Sequence, residues 1–142
     1  MDKTEAVKIL DKALQAGEDA LEACTPIPMI VQQHESPLDD SSKVIQSYHV
    51  PDGVCGFAWV KISLTSTPSR QFINALKKAE LATADINSHN DAPFKKSYYH
   101  GGYLYWVHQG NQSLQKKETF AGAFAKTLIE KGITCHTGSR MD

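Results

Sequence analysis

The sequence predicts an α+β fold, and three observations carry that prediction: short alternating apolar runs, helical stretches between them, and glycine- or proline-bearing turns at the junctions. From Val54 onward the elements read β-α-β-β-α-β. A helix precedes them. In it Asp2 and Glu5 have capping-box spacing, and Val7, Leu10, Leu14, Leu21 and Cys24 recur at short helical intervals, with Gly17 in the stripe position left over. The seam is heptad-like but only about three heptads long, which favours packing onto the body over a coiled coil. Pro26 and Pro28 stop the helix, and Pro28 to Gln33 is expected to be extended.

The polar run Ser36–Pro37–Leu38–Asp39–Asp40–Ser41–Ser42 reads as a linker, dividing an acidic helical unit of residues 1–43 from an α+β domain of residues 44–142. Val44 to Val50 and Val54 to Leu64 flank Pro51–Asp52–Gly53, which predicts a hairpin whose first strand extends a sheet edge. Thr67–Pro68 supplies an N-cap and a first-turn proline for a helix that buries Phe72, Ile73, Leu76 and Ala79 and ends near Leu81. Lys77 and Lys78 lie where the helix dipole favours cations. After a polar loop at 83–93, Phe94 to His100 and Tyr103 to Gln109 flank Gly101–Gly102, a second hairpin with a two-residue turn. The last helix is expected from Ser113 to Lys131, with Leu114, Phe120, Ala121, Phe124, Ala125 and Leu128 inward and Gly132 as its C′ residue. Ile133 to Thr137 closes the chain as a strand. This order is that of the ferredoxin-like, split βαβ architecture, in which two helices cover one face of a four-stranded antiparallel sheet.

Composition bounds the function classes. A chain of 142 residues can bury roughly 68–70% of its extended surface, enough for a core without disulfides or a structural metal. Its longest apolar stretches, Phe57 to Val60 and Tyr103 to Val107, fall far short of the roughly 20 residues that cross a bilayer. No basic and apolar leader opens the chain, so an intracellular protein with no membrane partner is expected. Cys24, Cys55 and Cys135 are too widely spaced for a zinc ribbon or redox motif and read as free, buried thiols. Six histidines include no helical i, i+4 pair, and neither a metal nor a cofactor is expected. The near-neutral charge is a cancellation. Residues 1–40 carry three lysines against nine acids, net −6, and the remainder carries net +5.

The strand from Val54 separates Gly56, Ala58, Val60, Ile62 and Leu64 from Phe57, Trp59 and Lys61, and the aliphatic set should face the core. Two large rings and a lysine then lie on the helix-free face, joined by rings from Tyr103 to His108. Aromatic and basic residues on such a face resemble the RNA recognition motif, which stacks bases of single-stranded nucleic acid on its sheet. The family's RNP1 order breaks after the first glycine of His100–Gly101–Gly102–Tyr103–Leu104–Tyr105–Trp106–Val107, so the resemblance is architectural and compositional. A second feature is Gln109–Gly110–Asn111–Gln112 before the last helix, with Lys116 and Lys117 in its first turns and His108 just upstream, an arrangement suited to phosphate or carboxylate.

The leading reading is therefore a small binding protein rather than an enzyme, taking nucleic acid or a nucleotide-like anion on Phe57, Trp59, Lys61, Tyr103, Tyr105 and His108, with Lys95, Lys96, Lys116 and Lys117 supplying positive potential. The alternative is a protein-interaction module using the same face, as a homodimer or as a phage-encoded inhibitor of a host protein. A hydrolase with His108 or His100 as base beside Tyr98 and Tyr105 is the third reading. A lone His34–Glu35–Ser36 carries no second copy of the His-x-Ser form that 2H phosphoesterases use in pairs. The closing stretch, with Gln112–Ser113, Lys117–Glu118, Ala121–Gly122–Ala123–Phe124–Ala125, Leu128, Gly132–Ile133 and Ser139–Arg140–Met141–Asp142, resembles the C-terminal part of small uncharacterised proteins of phages and other mobile elements. That resemblance covers about a third of the chain and implies a phage or host-interaction context, hence a host cytoplasm, without implying a chemistry.

Overall fold

The computed structural model of the protein describes residues 1–26, 53–85, 91–98 and 101–142 in full, and the backbone alone of residues 29–34 and 44–50. In chain order the elements are α1 (Lys3–Ala23), β1 (Met29–His34), β2 (Val44–Val50), β3 (Gly56–Ile62), α2 (Thr67–Lys78), β4 (Ala82–Thr83), β5 (Phe94–Lys96), β6 (Tyr103–Trp106), α3 (Leu114–Glu130) and β7 (Cys135–Met141). The α+β class holds. Five strands form a mixed open sheet in the order β4-β5-β6-β3-β7, in which β4 runs parallel to β5 and the other neighbours are antiparallel. β1 and β2 pair antiparallel as a separate two-stranded sheet, with an irregular register between Gln33 and His34.

Two strand pairings differ from the sequence expectation. β2 pairs with β1, not β3, so it adds no edge to the main sheet, because both sides of β3 are taken by β6 and β7. Of the turn expected to join β2 to β3, Pro51 and Asp52 lie outside the described residues. The Gly101–Gly102 turn is longer than two residues, since Lys96 pairs with Tyr103 and six residues separate them. Both glycines have positive φ, and a Cβ at Gly102 would run into the Ile62 carbonyl. Two strands also have unexpected extents. β4 is only two residues long and carried no alternation to find. β7 runs to Met141 rather than stopping at Thr137, because all seven residues of β3 pair with it.

The helices follow their caps. Asp2 Oδ1 accepts a hydrogen bond from the Glu5 backbone N–H at 2.8 Å, and Ser113 Oγ accepts from the Lys116 N–H at 3.2 Å. For α2 the cap is Ser66, with Thr67–Pro68 opening the helix proper. α1 buries Ala6, Ile9, Leu10, Ala13 and Gly17, a stripe that keeps Leu10 and Gly17 of the expected seam but is turned toward Ala6, Ile9 and Ala13, leaving Leu14 and Leu21 only partly buried. The turn has a physical cause. α1 lies against α3, and a Cβ on Gly17 would sit 2.7 Å from the Phe120 ring. The acidic helix therefore shares the body's core and does not lie over the Phe57–Trp59 face. No helix among the described residues is long and apolar enough to cross a membrane.

That core is aromatic at its centre. Phe94, Tyr105, Phe120 and Phe124 cluster with Phe72, and the Tyr105 and Phe124 rings stack 4.7 Å apart. At its rim a hydroxyl group ties α2 to the start of β7. Ser69, fully buried, accepts a hydrogen bond from the Thr134 N–H at 2.7 Å and lies 2.8 Å from the Ser66 hydroxyl. Ser69→Ala leaves the Thr134 N–H without its acceptor and is expected to cost about 1–3 kcal/mol, read as a lower urea midpoint at unchanged slope.

The cysteines divide by environment. Cys135 is buried, and burial pushes its thiol up to about 11, whereas Cys55, expected inside, is exposed, and Cys24 is half-buried beside Thr119. Cys55 precedes β3, bridged to Ser113 and with its carbonyl accepting a hydrogen bond from the Asp142 N–H, and strand alternation puts its side chain on the face opposite the packed one.

Candidate nucleic-acid interface

Directly opposed residues of an antiparallel pair share a face, so the register lays out the helix-free side of the sheet as three rows. The first opposes Phe57 to Arg140. The second runs Trp106, Trp59, Gly138 across β6, β3 and β7. The third runs Lys95, Leu104, Lys61, His136 across β5, β6, β3 and β7. Rings thus occupy the middle of the strip and cations its two ends.

Geometry at the centre depends on one small residue. The Trp59 indole lies so close over Gly138 that a Cβ there would be 2.5 Å away, which lets the ring lie flat along β7. Trp106 stacks on it at 5.4 Å with an 8° interplanar angle, and Phe57 meets Trp106 at 5.8 Å. Trp106 is 44% exposed, while Phe57, Trp59 and Lys61 are half-buried. At the lower end Lys117 Nζ and the Arg140 guanidinium each stand 5.4 Å from the Phe57 ring centre, within cation–π range.

The expected site residues are partly brought together. Phe57, Trp59, Lys61 and Lys95 share the strip, and Lys117 reaches it from α3. Tyr103 and Tyr105 do not. Both are 2% exposed and face the helices, because their register partners are the inward Ile62 and Val60, so the ring that β6 adds to the strip is Trp106. Lys117 is buried against Phe57 rather than standing free at the α3 N-terminus, where Lys116 is half-buried. The anion site expected there loses one of its two lysines to the aromatic strip. Arg140, Trp106 and Gly138 were not among the expected site residues. The signal for them was a ladder, since a β7 extended to Met141 sets Arg140 beside Phe57 and Gly138 beside Trp59.

On the β5 side the sheet opens into a cleft of about 850 Å³. β5 is only three residues long, so β6 passes beyond its partner at Trp106, and Ala92–Pro93, Leu14 of α1 and His108–Gln109 wall the gap. Lys95, Leu104 and Trp106 belong to both cleft and strip, and Lys96 and Tyr98 line the cleft alone. Lys96 Nζ stands 5.6 Å over the Tyr98 ring. In the floor, Gln109 Nε2 donates to the Tyr105 hydroxyl at 2.9 Å while its Oε1 accepts from the His108 N–H at 3.2 Å. Burial pushes the Tyr105 phenol up from its usual range; the Gln109 hydrogen bond opposes this and the Glu18 carboxylate adds to it. A phenol held protonated is a hydrogen-bonding wall and not a base. The His108 ring is exposed and 6.4 Å from that of Tyr105, and His100 lies outside the described residues. Among the described residues no three His, Cys, Asp or Glu side chains gather as a metal site would require.

Comparison of the chain with protein-family models, curated proteins and solved structures finds no match in any of the three.

Proposed function

We propose that the protein binds single-stranded nucleic acid along the helix-free strip, with Phe57, Trp59 and Trp106 stacking bases and Lys61, Lys95 and Arg140 meeting phosphates. The observation that carries this reading is the stacked ring group of two adjacent cross-strand rows with cations at both ends. Rings give sequence-tolerant contact, since every base has a π-face, and cations supply the polyanion attraction. The same reading takes the segment from β3 to β7 as ferredoxin-like with β4 added beside β5. Its support is the order β5-β6-β3-β7 with antiparallel neighbours throughout, and α2 and α3 as the crossovers.

The test is titration of labelled single-stranded DNA and RNA at about 50 mM salt, with indole fluorescence as a second signal. Trp106→Ala is expected to weaken binding by about 1–3 kcal/mol, the usual contribution of one base–ring stack, with the thermal midpoint little changed because Trp106 lies outside the buried core. No binding by wild type at low salt overturns the reading. If light scattering instead shows a dimer that Trp106→Ala dissociates, the strip is an interface between copies of the chain.

A further inference from the structure

We infer that the cleft beside β5 seats one nucleotide at the end of the bound strand, its base against Trp106 and its phosphate at Lys95, on the same face of the sheet. The inference rests on the strand-binding reading and adds the place where a strand terminates.

Three observations carry it. The first is size. About 850 Å³ lies within the range of small-molecule sites and accommodates a base with its sugar and phosphate. The second is continuity, since Trp106 both stacks on Trp59 in the strip and walls the cleft, so a chain of stacked bases passes from one to the other without leaving an aromatic surface. The third is the chemistry of the lining. One side is apolar, with Leu104 and Pro93, which suits a flat ring, and the rim carries two lysines against the single carboxylate of Asp91, which suits an anion. At the floor the Gln109 amide is held by the Tyr105 hydroxyl and the His108 N–H, so it does not have to be ordered when a base edge arrives.

Adenosine 5′-monophosphate, adenosine and a short oligodeoxyadenylate separate the two proposals. The mononucleotide is expected to bind wild type and to compete with the oligonucleotide. Lys95→Gln removes one charge-assisted hydrogen bond to the phosphate, so it should weaken the mononucleotide about tenfold and leave adenosine unchanged. Tyr98→Ala, also at an exposed position, should weaken the mononucleotide as well, and circular dichroism checks that both variants keep the fold. Lys61→Gln with Arg140→Gln should weaken the oligonucleotide and spare the mononucleotide, because neither residue lines the cleft. An oligonucleotide that binds while the mononucleotide does not, or a mononucleotide indifferent to Lys95→Gln and Tyr98→Ala, overturns the cleft assignment alone. A mononucleotide that binds as expected without any binding of the oligonucleotide upholds the cleft as a nucleotide site and overturns its place at the end of a strand. Failure of both ligands overturns both.

Discussion

Phe124→Ala is expected to lower the unfolding free energy by about 3–5 kcal/mol, a large share of the roughly 5–15 kcal/mol that holds a domain of this size together. Phe124 is fully buried on α3, stacks on Tyr105 at 4.7 Å, and has the Phe94 and Phe120 rings within 6.2 and 6.1 Å. Removing it withdraws the common neighbour of three rings from β5, β6 and α3, and no small adjustment brings them together over the void. Phe57→Ala removes the same atoms from a half-buried position outside the core cluster and should cost clearly less. Urea unfolding of the two variants beside wild type measures the difference. Equal losses would mean that the strip is packed as a core and is not a surface offered to a ligand.

How the sequence conveys this architecture differs between its parts. Phe120, Phe124 and Leu128 were legible because a helix of 17 residues repeats its inward face several times. β3 was legible because Ala58, Val60 and Ile62 are aliphatic and Phe57, Trp59 and Lys61 are not, so alternation names the buried face without help from any partner. β6 offers no such contrast. Tyr103–Leu104–Tyr105–Trp106 is apolar on both sides, and its burial is decided by pairing with β3, a long-range fact absent from the local pattern. β7 fails for the opposite reason: Cys-His-Thr-Gly-Ser-Arg-Met carries only one buried residue, so it looks like a loop until β3 is known to need a partner along its whole length. The candidate strip takes Trp106, Gly138 and Arg140 from these two strands, which is why half of it was hidden. The charge split was legible and its geometry was not. Ala6, Ile9, Leu10 and Ala13 place the acidic helix within the core, so deleting it to free a basic body would remove part of the packing instead.

Raising salt from about 50 to 200 mM is expected to weaken strand binding about 20-fold. The figure follows from the number of cations on the strip. Each phosphate neutralised on a single strand contributes about −0.7 to the slope of log affinity against log salt, so Lys61, Lys95 and Arg140 together give a slope of about −2.1, while Lys117, buried under Phe57, adds nothing. Replacing Lys61 and Arg140 by glutamine removes one cation from each end of the strip, at half-buried and exposed positions whose loss leaves the core intact. The slope should fall to about −0.7, and the same salt step should then weaken binding only about threefold. Trp106→Ala provides the contrast. It lowers affinity at every salt concentration and leaves the slope alone, because a stacked base releases no counterion. Affinities from fluorescence titrations at four or more salt concentrations give both slopes. If the double glutamine variant keeps the wild-type slope, Lys61 and Arg140 touch no phosphate and the strand does not run along the strip. If Trp106→Ala changes the slope as the glutamines do, the rings and the cations are not the separate contacts that the three cross-strand rows imply.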